Sequence, residues 1–121
     1  MKYLCLVYQN EAEAATLDAL TQCEYATILD ELLNYRDSLK CRGHLIATEA
    51  VQPSLDAATI RVRNGLMSIT LGPVAETSMQ MAAFYLINAT DLNDAIRVVS
   101  RMPPARTGCV EVRPIREFGC R

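Results

Sequence analysis

The sequence contains no tryptophan, a single histidine and no run of lysine or arginine. Twelve basic and fourteen acidic side chains give a formal net charge of −2, so the chain lacks the positive surface that a nucleic-acid backbone or an anionic membrane would attract. The first apolar run, from Tyr3 to Tyr8, is too short for a secretion signal or a membrane span. We therefore expect a cytoplasmic protein that binds neither nucleic acid nor membrane.

Signatures of metals and cofactors are also missing. The five cysteines form no CxxC pair, and an odd number of them fits a reducing compartment better than a disulfide framework. Cys23 and Cys41 lie on one predicted helix about 27 Å apart along its axis, so they cannot share a metal ion. No phosphate loop or dinucleotide fingerprint is present. The sequence predicts no metal and no cofactor.

The remaining composition suits one folded domain. Half of the 121 residues are apolar and 21% are charged, which is enough material for a core and leaves no room for a second one. We expect a single domain over residues 1–121.

Two helices are predicted from apolar residues that recur at helical spacing. Thr21 and Glu24 have the spacing of a capping box at the start of the first helix, and Gly43 ends it. Asp91 is the expected N-cap of the second helix, whose apolar stripe continues to Met102.

Extended patterns predict strands between and around these helices. The strongest signal is Asn64-Gly65, which is typical of a tight type I′ turn and pairs Ile60 with Ile69 on one face of a hairpin. The predicted strands cover residues 3–8, 44–51, 58–63, 66–71, 81–87 and 109–115.

The resulting order is β, α, β, a β-hairpin, β, α, β, which indicates an α+β protein with a ferredoxin-like split βαβ plan and an inserted hairpin. Two helices cover only one face of such a sheet, yet the strands at 3–8 and 81–87 carry apolar residues on both faces. A second copy of the sheet is the simplest cover for the other face. We therefore predict a homodimer that pairs through the sheet face.

Residues 71–77 read Leu-Gly-Pro-Val-Ala-Glu-Thr. They resemble the signature Asp-Gly-Pro-Phe-Ala-Glu-Thr-Lys-Glu (DGPF) of the YCII-related family, with five of nine positions identical. The resemblance extends to the opening Met-Lys-Tyr and to residues 43–45, 49–50, 59–65, 84–87 and 110–114. It implies a dimeric α+β barrel with a cleft under the signature loop, in a family of largely unassigned function with some members encoded beside alternative sigma factors.

The chain departs from the family pattern where chemistry is expected. Leu71 stands at the position of the signature Asp, the carboxylate best placed to move a proton, and Val74 replaces the Phe. The family also has a His–Asp pair with its histidine in the first helical region, where this chain has Gln22 and Cys23. The single histidine, His44, lies beyond that helix.

The candidate site residues come from the signature loop, the strands and the single histidine. Glu76 follows the Gly-Pro turn and is a candidate catalytic carboxylate, and His44 is a candidate general base because imidazole titrates near neutral pH. The candidate ligand-binding residues are Glu49, Arg61, Gly72, Pro73, Thr77, Glu111 and Arg113.

Each candidate also has a structural interpretation. Glu76 and Thr77 could fix the loop through hydrogen bonds to backbone N–H groups. Glu111 and Arg113 share one face of a strand and could form an ion pair, and His44 could be a surface or capping residue.

Two functions are compatible with these residues. The first is a homodimeric small-molecule-binding or accessory, regulatory module. The second is a small acid–base enzyme, such as an isomerase or a lyase, that acts on a small polar metabolite. The loss of the signature Asp at Leu71 favours the first.

Overall fold

The computed structural model describes residues 1–12 and 22–118. A single 3₁₀ turn covers Ser54–Asp56. In chain order the elements are β1 (Lys2–Asn10), α1 (Gln22–Cys41), β2 (Leu45–Ala50), β3 (Ala58–Arg63), β4 (Leu66–Leu71), β5 (Met79–Asn88), α2 (Leu92–Val99), α3 (Pro104–Thr107) and β6 (Cys109–Pro114).

The main sheet has the strand order β2-β5-β1-β6, and every neighbouring pair is antiparallel. This order is compatible with the ferredoxin-like plan, and the strands predicted from the sequence are confirmed to within two residues at either end. Strands β3 and β4 form a separate hairpin that pairs Ile60 with Ile69, as predicted. Asn64 and Gly65 have φ values of 52° and 76°, the positive values that a type I′ turn requires.

The two long helices also lie where the sequence pattern places them. The predicted capping residue of α1, Thr21, lies outside the described residues. At α2 the prediction is confirmed, because the side chain of Asp91 accepts a hydrogen bond of 2.8 Å from the backbone N–H of Asp94.

The predicted C-terminal end of α2 is wrong. The helix ends at Val99. The N–H of Met102 donates to the Val99 carbonyl at 2.9 Å and forms a tight turn. This turn places the Met102 side chain in the core, where its exposure is 0%. Pro104 then begins the short helix α3, which the sequence pattern did not predict. Proline is favoured at the first position of a helix, so Pro104 starts a new helix after α2 has already ended.

Helices α1 and α2 pack against one face of the main sheet. This face carries alternate residues of β1 and β5, and they are almost fully buried because the helices cover them. The buried core comprises Tyr3, Cys5, Val7, Leu39, Tyr85, Ile87, Ala89, Ala95, Val99 and Met102.

The intervening residues of the same strands form the opposite face, which we call the open face. Leu4, Leu6 and Tyr8 of β1 and Phe84 and Leu86 of β5 lie on it, and each is half-buried. Helices α1 and α2 lie on the far side of the sheet. The strands are therefore apolar on both faces, as predicted, while the helices shield only one.

Burial of the Cys5 thiol makes the stability of the fold depend on pH. Cys5 has 0% exposure, and its burial raises the pKa of the thiol from the ordinary 9.0 to about 11. At pH 7 the thiol is neutral in the folded and unfolded chains alike. As the pH rises from about 9 to 11, the unfolded chain ionises first, and we expect a loss of about 2 kcal/mol of unfolding free energy from this group.

The measurement is the free energy of unfolding of the wild type and of Cys5→Ala between pH 7 and 11. The wild type should lose more stability than the variant, because burial raises the pKa of Tyr85 in both proteins and only the wild type carries the buried thiol. Identical pH profiles would contradict the assignment.

Candidate functional site

The signature loop begins with a glycine that no other residue replaces without strain. Gly72 is buried and has φ +109°, a backbone conformation that glycine adopts readily and L side chains avoid. Its N–H donates to the Ala57 carbonyl at 2.7 Å, and its carbonyl accepts a hydrogen bond of 2.9 Å from the Thr59 hydroxyl. These bonds hold the start of the loop against the start of the hairpin.

The far end of the loop is held by side chains. The Gln80 amide donates to the carbonyls of Ala75 and Thr77, at 2.8 and 2.9 Å, and the Thr77 hydroxyl donates to the Met79 carbonyl at 2.7 Å. Thr77 therefore fixes the loop through a backbone carbonyl, whereas its structural interpretation had its side chain bonded to backbone N–H groups. Glu76 lies exposed in the same loop.

A cleft of about 340 Å³ lies beside this loop. It is bounded by the loop, the residues that follow β2, the 3₁₀ turn and the start of β5. Pro73 is the predicted site residue that lines it, and the polar side chains in its wall belong to Gln52, Asp56 and Gln80. The complete lining is Val51, Gln52, Pro53, Asp56, Ala57, Pro73, Gln80 and Met81.

Glu11 connects two walls of the cleft. Its carboxylate accepts a hydrogen bond of 3.1 Å from the N–H of Ser54, and its own N–H donates to the Ser78 carbonyl at 3.2 Å. One residue at the end of β1 thus holds both the turn that carries Asp56 and the end of the signature loop. Neither Glu11 nor Asp56 was predicted as a site residue, since their roles depend on contacts between distant parts of the chain.

The open face carries charged residues at both of its edges. Register places Glu49 opposite Phe84, Phe84 opposite Leu6, and Leu6 opposite Glu111, in one row across the four strands. Three strand spacings separate the two glutamates by about 14 Å. They share a face but do not meet.

Arg113 belongs to the neighbouring row, opposite Leu4. Its guanidinium Nε lies 3.4 Å from a carboxylate oxygen of Glu111, and both side chains are largely exposed. The two residues therefore form a surface ion pair, which is the structural alternative given for them above. Such pairs contribute little to stability in water.

The two candidate catalytic residues lie at opposite ends of β5. Nδ1 of His44 lies 2.9 Å from the carbonyl oxygen of Asn88, the last residue of β5. The loop that carries Glu76 is held by Gln80, near the first residue of β5. The eight residues from Gln80 to Asn88 span about 26 Å, so the structure does not bring His44 and Glu76 together. Arg61 lies elsewhere again, exposed on the hairpin.

The described residues 1–12 and 22–118 contain no group of three histidine, cysteine, aspartate or glutamate side chains that could hold a metal ion. In the same part of the chain, no helix has the length and apolar character needed to cross a bilayer.

Comparison with known proteins identifies the family of this chain. The family model described as the YCII-related domain matches residues 1–119. The chain belongs to the YCII-related family. It is also 31% identical over 118 residues to an uncharacterized protein of Rhizobium meliloti (strain 1021), an alignment that covers 95% of this chain and 92% of that relative. The resemblance drawn from residues 71–77 is thereby confirmed.

Within this YCII-related protein, the position of the signature Asp is occupied by an exposed apolar side chain. Leu71 has 82% of its surface accessible to solvent. Gly72 has the positive φ described above, and the residue before it carries no carboxylate.

Proposed function

We propose that this YCII-related protein is a homodimeric module that binds a small polar molecule in the cleft beside the signature loop and does not transform it. One observation carries the proposal. The cleft offers hydrogen-bonding groups on Asp56 and Gln80. The signature carboxylate is replaced by Leu71, Glu76 lies outside the residues that line the cleft, and His44 lies about 26 Å from Gln80 along β5.

Dimerisation is supported by the uncovered apolar face. Leu6 and Phe84 lie at its centre, and a second copy would cover them by placing its own open face against this one, in a two-fold dimer that is a dimeric α+β barrel. The hairpin adds apolar surface that the single chain leaves in water. The side chains of Ile60, Val62, Met67 and Ile69 share one face of it and are 57% to 64% exposed.

The cleft lies next to the proposed interface. Met81 lines the cleft and pairs in register with Tyr8, which follows Leu6 on the open face. A ligand in the cleft would therefore lie close to the second copy. This proximity supports an accessory or regulatory role, because occupancy of the cleft and pairing of the subunits would influence each other.

One observation favours the alternative, a small acid–base enzyme. Asp56 supplies a carboxylate within the cleft, close to Pro73, although the signature position holds Leu71. A carboxylate at that place could exchange a proton with a bound metabolite.

A screen of small polar metabolites separates the two functions. Under the binding proposal, at least one compound should raise the melting temperature of the wild type, and Asp56→Asn combined with Gln80→Ala should weaken its binding at least about tenfold, the loss expected for one hydrogen bond to a charged group. Asp30→Asn, an exposed change on α1, is the matched control and should leave binding unchanged.

Turnover in the same screen decides for the enzyme. If Glu76→Gln or Asp56→Asn abolished that turnover without changing the melting temperature, the binding-only proposal would be wrong. Activity gained by Leu71→Asp would identify this chain as a copy that has lost a catalytic carboxylate. Ligand binding that survives the cleft variants would contradict the position of the site.

A further inference from the structure

A second cavity lies at the opposite end of the domain from the signature loop. It has a volume of about 270 Å³ and is formed where the end of α1, the start of β2 and α2 meet. Three guanidiniums line it, from Arg42, Arg97 and Arg101, together with the imidazole of His44. Asp94 is the one carboxylate among the described residues of the lining.

The charge of this cavity is opposite to that of the chain. The whole sequence carries a formal charge of −2, yet three of its twelve basic residues converge here against one acid, which gives the lining a charge of +2 with the histidine neutral. The three arginine side chains are exposed, so water screens their mutual repulsion, but their shared positive potential favours an anion at the mouth of the cavity. A bound dianion would balance this cavity.

Asp94 does not serve as that counter-charge for all three arginines, because its carboxylate is already engaged. Oδ2 accepts hydrogen bonds from the N–H and the hydroxyl of Thr90, at 3.0 and 3.1 Å. The bond from the Thr90 backbone lowers the pKa of Asp94, and His44 and Arg97 act in the same direction. The nearest approach of Arg97, 3.9 Å from Oδ1, is too long for a hydrogen bond.

Within residues 1–12 and 22–118, the other two guanidiniums have no acidic partner. Among the described residues, neither Arg42 nor Arg101 has a carboxylate oxygen within 4.0 Å of its nitrogens. Both act on the phenol of Tyr35: burial raises its pKa, while Arg101 and Arg42 oppose the rise, which places them near the ring. The Tyr35 hydroxyl donates to the Val98 carbonyl at 2.7 Å and so joins α1 to α2 at the cavity.

His44 completes the donor set. The Asn88 carbonyl, 2.9 Å from Nδ1, only accepts hydrogen bonds, so Nδ1 carries the hydrogen and Nε2 is left for another partner. A neutral imidazole can accept there from a protonated anion, and a charged one can donate.

We propose that this cavity binds a compact dianion, the chemistry shared by phosphate groups and small dicarboxylates, through Arg42, Arg97, Arg101 and His44. Guanidinium forks match the oxygens of both groups in paired hydrogen bonds. The volume lies just below the range of ordinary small-molecule pockets, about 300 to 1,000 Å³, so the anion is small rather than a nucleotide. This site is separate from the proposed ligand cleft.

The single histidine makes the experiment direct, because the imidazole signals in a proton NMR spectrum arise from His44 alone. The full chain is titrated at constant pH and ionic strength with inorganic phosphate and, in a second series, with succinate. We expect saturable shifts of the His44 signals with at least one of them, and the tighter of the two identifies the phosphate or the dicarboxylate as the source of the anion.

Variants test the arginines. Arg42→Gln combined with Arg101→Gln should raise the dissociation constant for the anion at least tenfold. Arg116→Gln, an exposed change near the C-terminal end, should leave that constant unchanged. If the double variant failed to fold, Arg101→Gln alone should still weaken binding severalfold.

Shifts that do not saturate with either anion, or equal affinities in the wild type and the arginine variants, would overturn the proposal. The double variant Asp56→Asn, Gln80→Ala should titrate like the wild type. The two sites can therefore fail independently.

Discussion

Leu6→Glu is expected to be a monomer at protein concentrations where the wild type is a dimer. Leu6 occupies the middle of the open face, between Phe84 and Glu111 in the register of the sheet. A glutamate there would lie directly opposite Glu111, and in the dimer its carboxylate would lose water without gaining a partner. We expect the dissociation constant of the dimer to rise at least about a thousandfold, which corresponds to roughly 4 kcal/mol of association free energy.

Light scattering coupled to size-exclusion chromatography measures this effect. The wild type should have about twice the chain mass of 13.4 kDa at micromolar concentration, and Leu6→Glu should have the mass of one chain. Ile96→Glu places the same charge on a half-exposed position of α2, on the helical side of the sheet, and should stay dimeric. A monomeric wild type would remove the basis of the proposed dimer.

Gly108→Ala is expected to destabilise the folded chain more than a typical substitution, by at least about 3 kcal/mol. A Cβ atom at this position would lie 2.1 Å from the carbonyl oxygen of Tyr8 and 3.2 Å from its carbon. These are backbone atoms of the central strand, and the next residue, Cys109, is paired with Tyr8 in the sheet. Relief of the overlap therefore requires β1 and β6 to separate.

Gly65→Ala is the matched control for this substitution. Gly65 has φ +76°, but nothing lies within 4 Å of the position that a Cβ atom would take there. The loss of unfolding free energy is therefore purely conformational, about 1 kcal/mol. Thermal denaturation should show a much lower melting temperature for Gly108→Ala than for Gly65→Ala. Equal melting temperatures would mean that the contact between Gly108 and Tyr8 is not as close as the structure has it.

The elements that sequence reasoning identified correctly are those specified locally. Asn64 and Gly65 define the hairpin through their own backbone preferences, and Asp91 begins α2 through a bond to a residue three positions away. The end of α2 was missed because the burial of Met102 against the sheet, a tertiary effect, bends the chain before the prolines are reached.

The candidate site was less predictable than the fold for the same physical reason. The signature loop is a contiguous motif, and it led to the correct family. Asp56, by contrast, lines the cleft from the turn that follows β2, and Glu11 at the end of β1 holds that turn through the N–H of Ser54. The distance between His44 and Glu76 depends on which end of β5 each one meets, and spacing in the sequence does not encode that.

The strand order also has a consequence for synthesis on the ribosome. β1 is the first strand to be translated, yet its two neighbours, β5 and β6, are the last. A nascent chain that ends before residue 79 holds its future central strand with neither edge hydrogen-bonded and with its apolar side chains unshielded. Such pairing over long sequence separations slows folding, so the central strand of the newly made polypeptide stays unpaired until its final strands emerge.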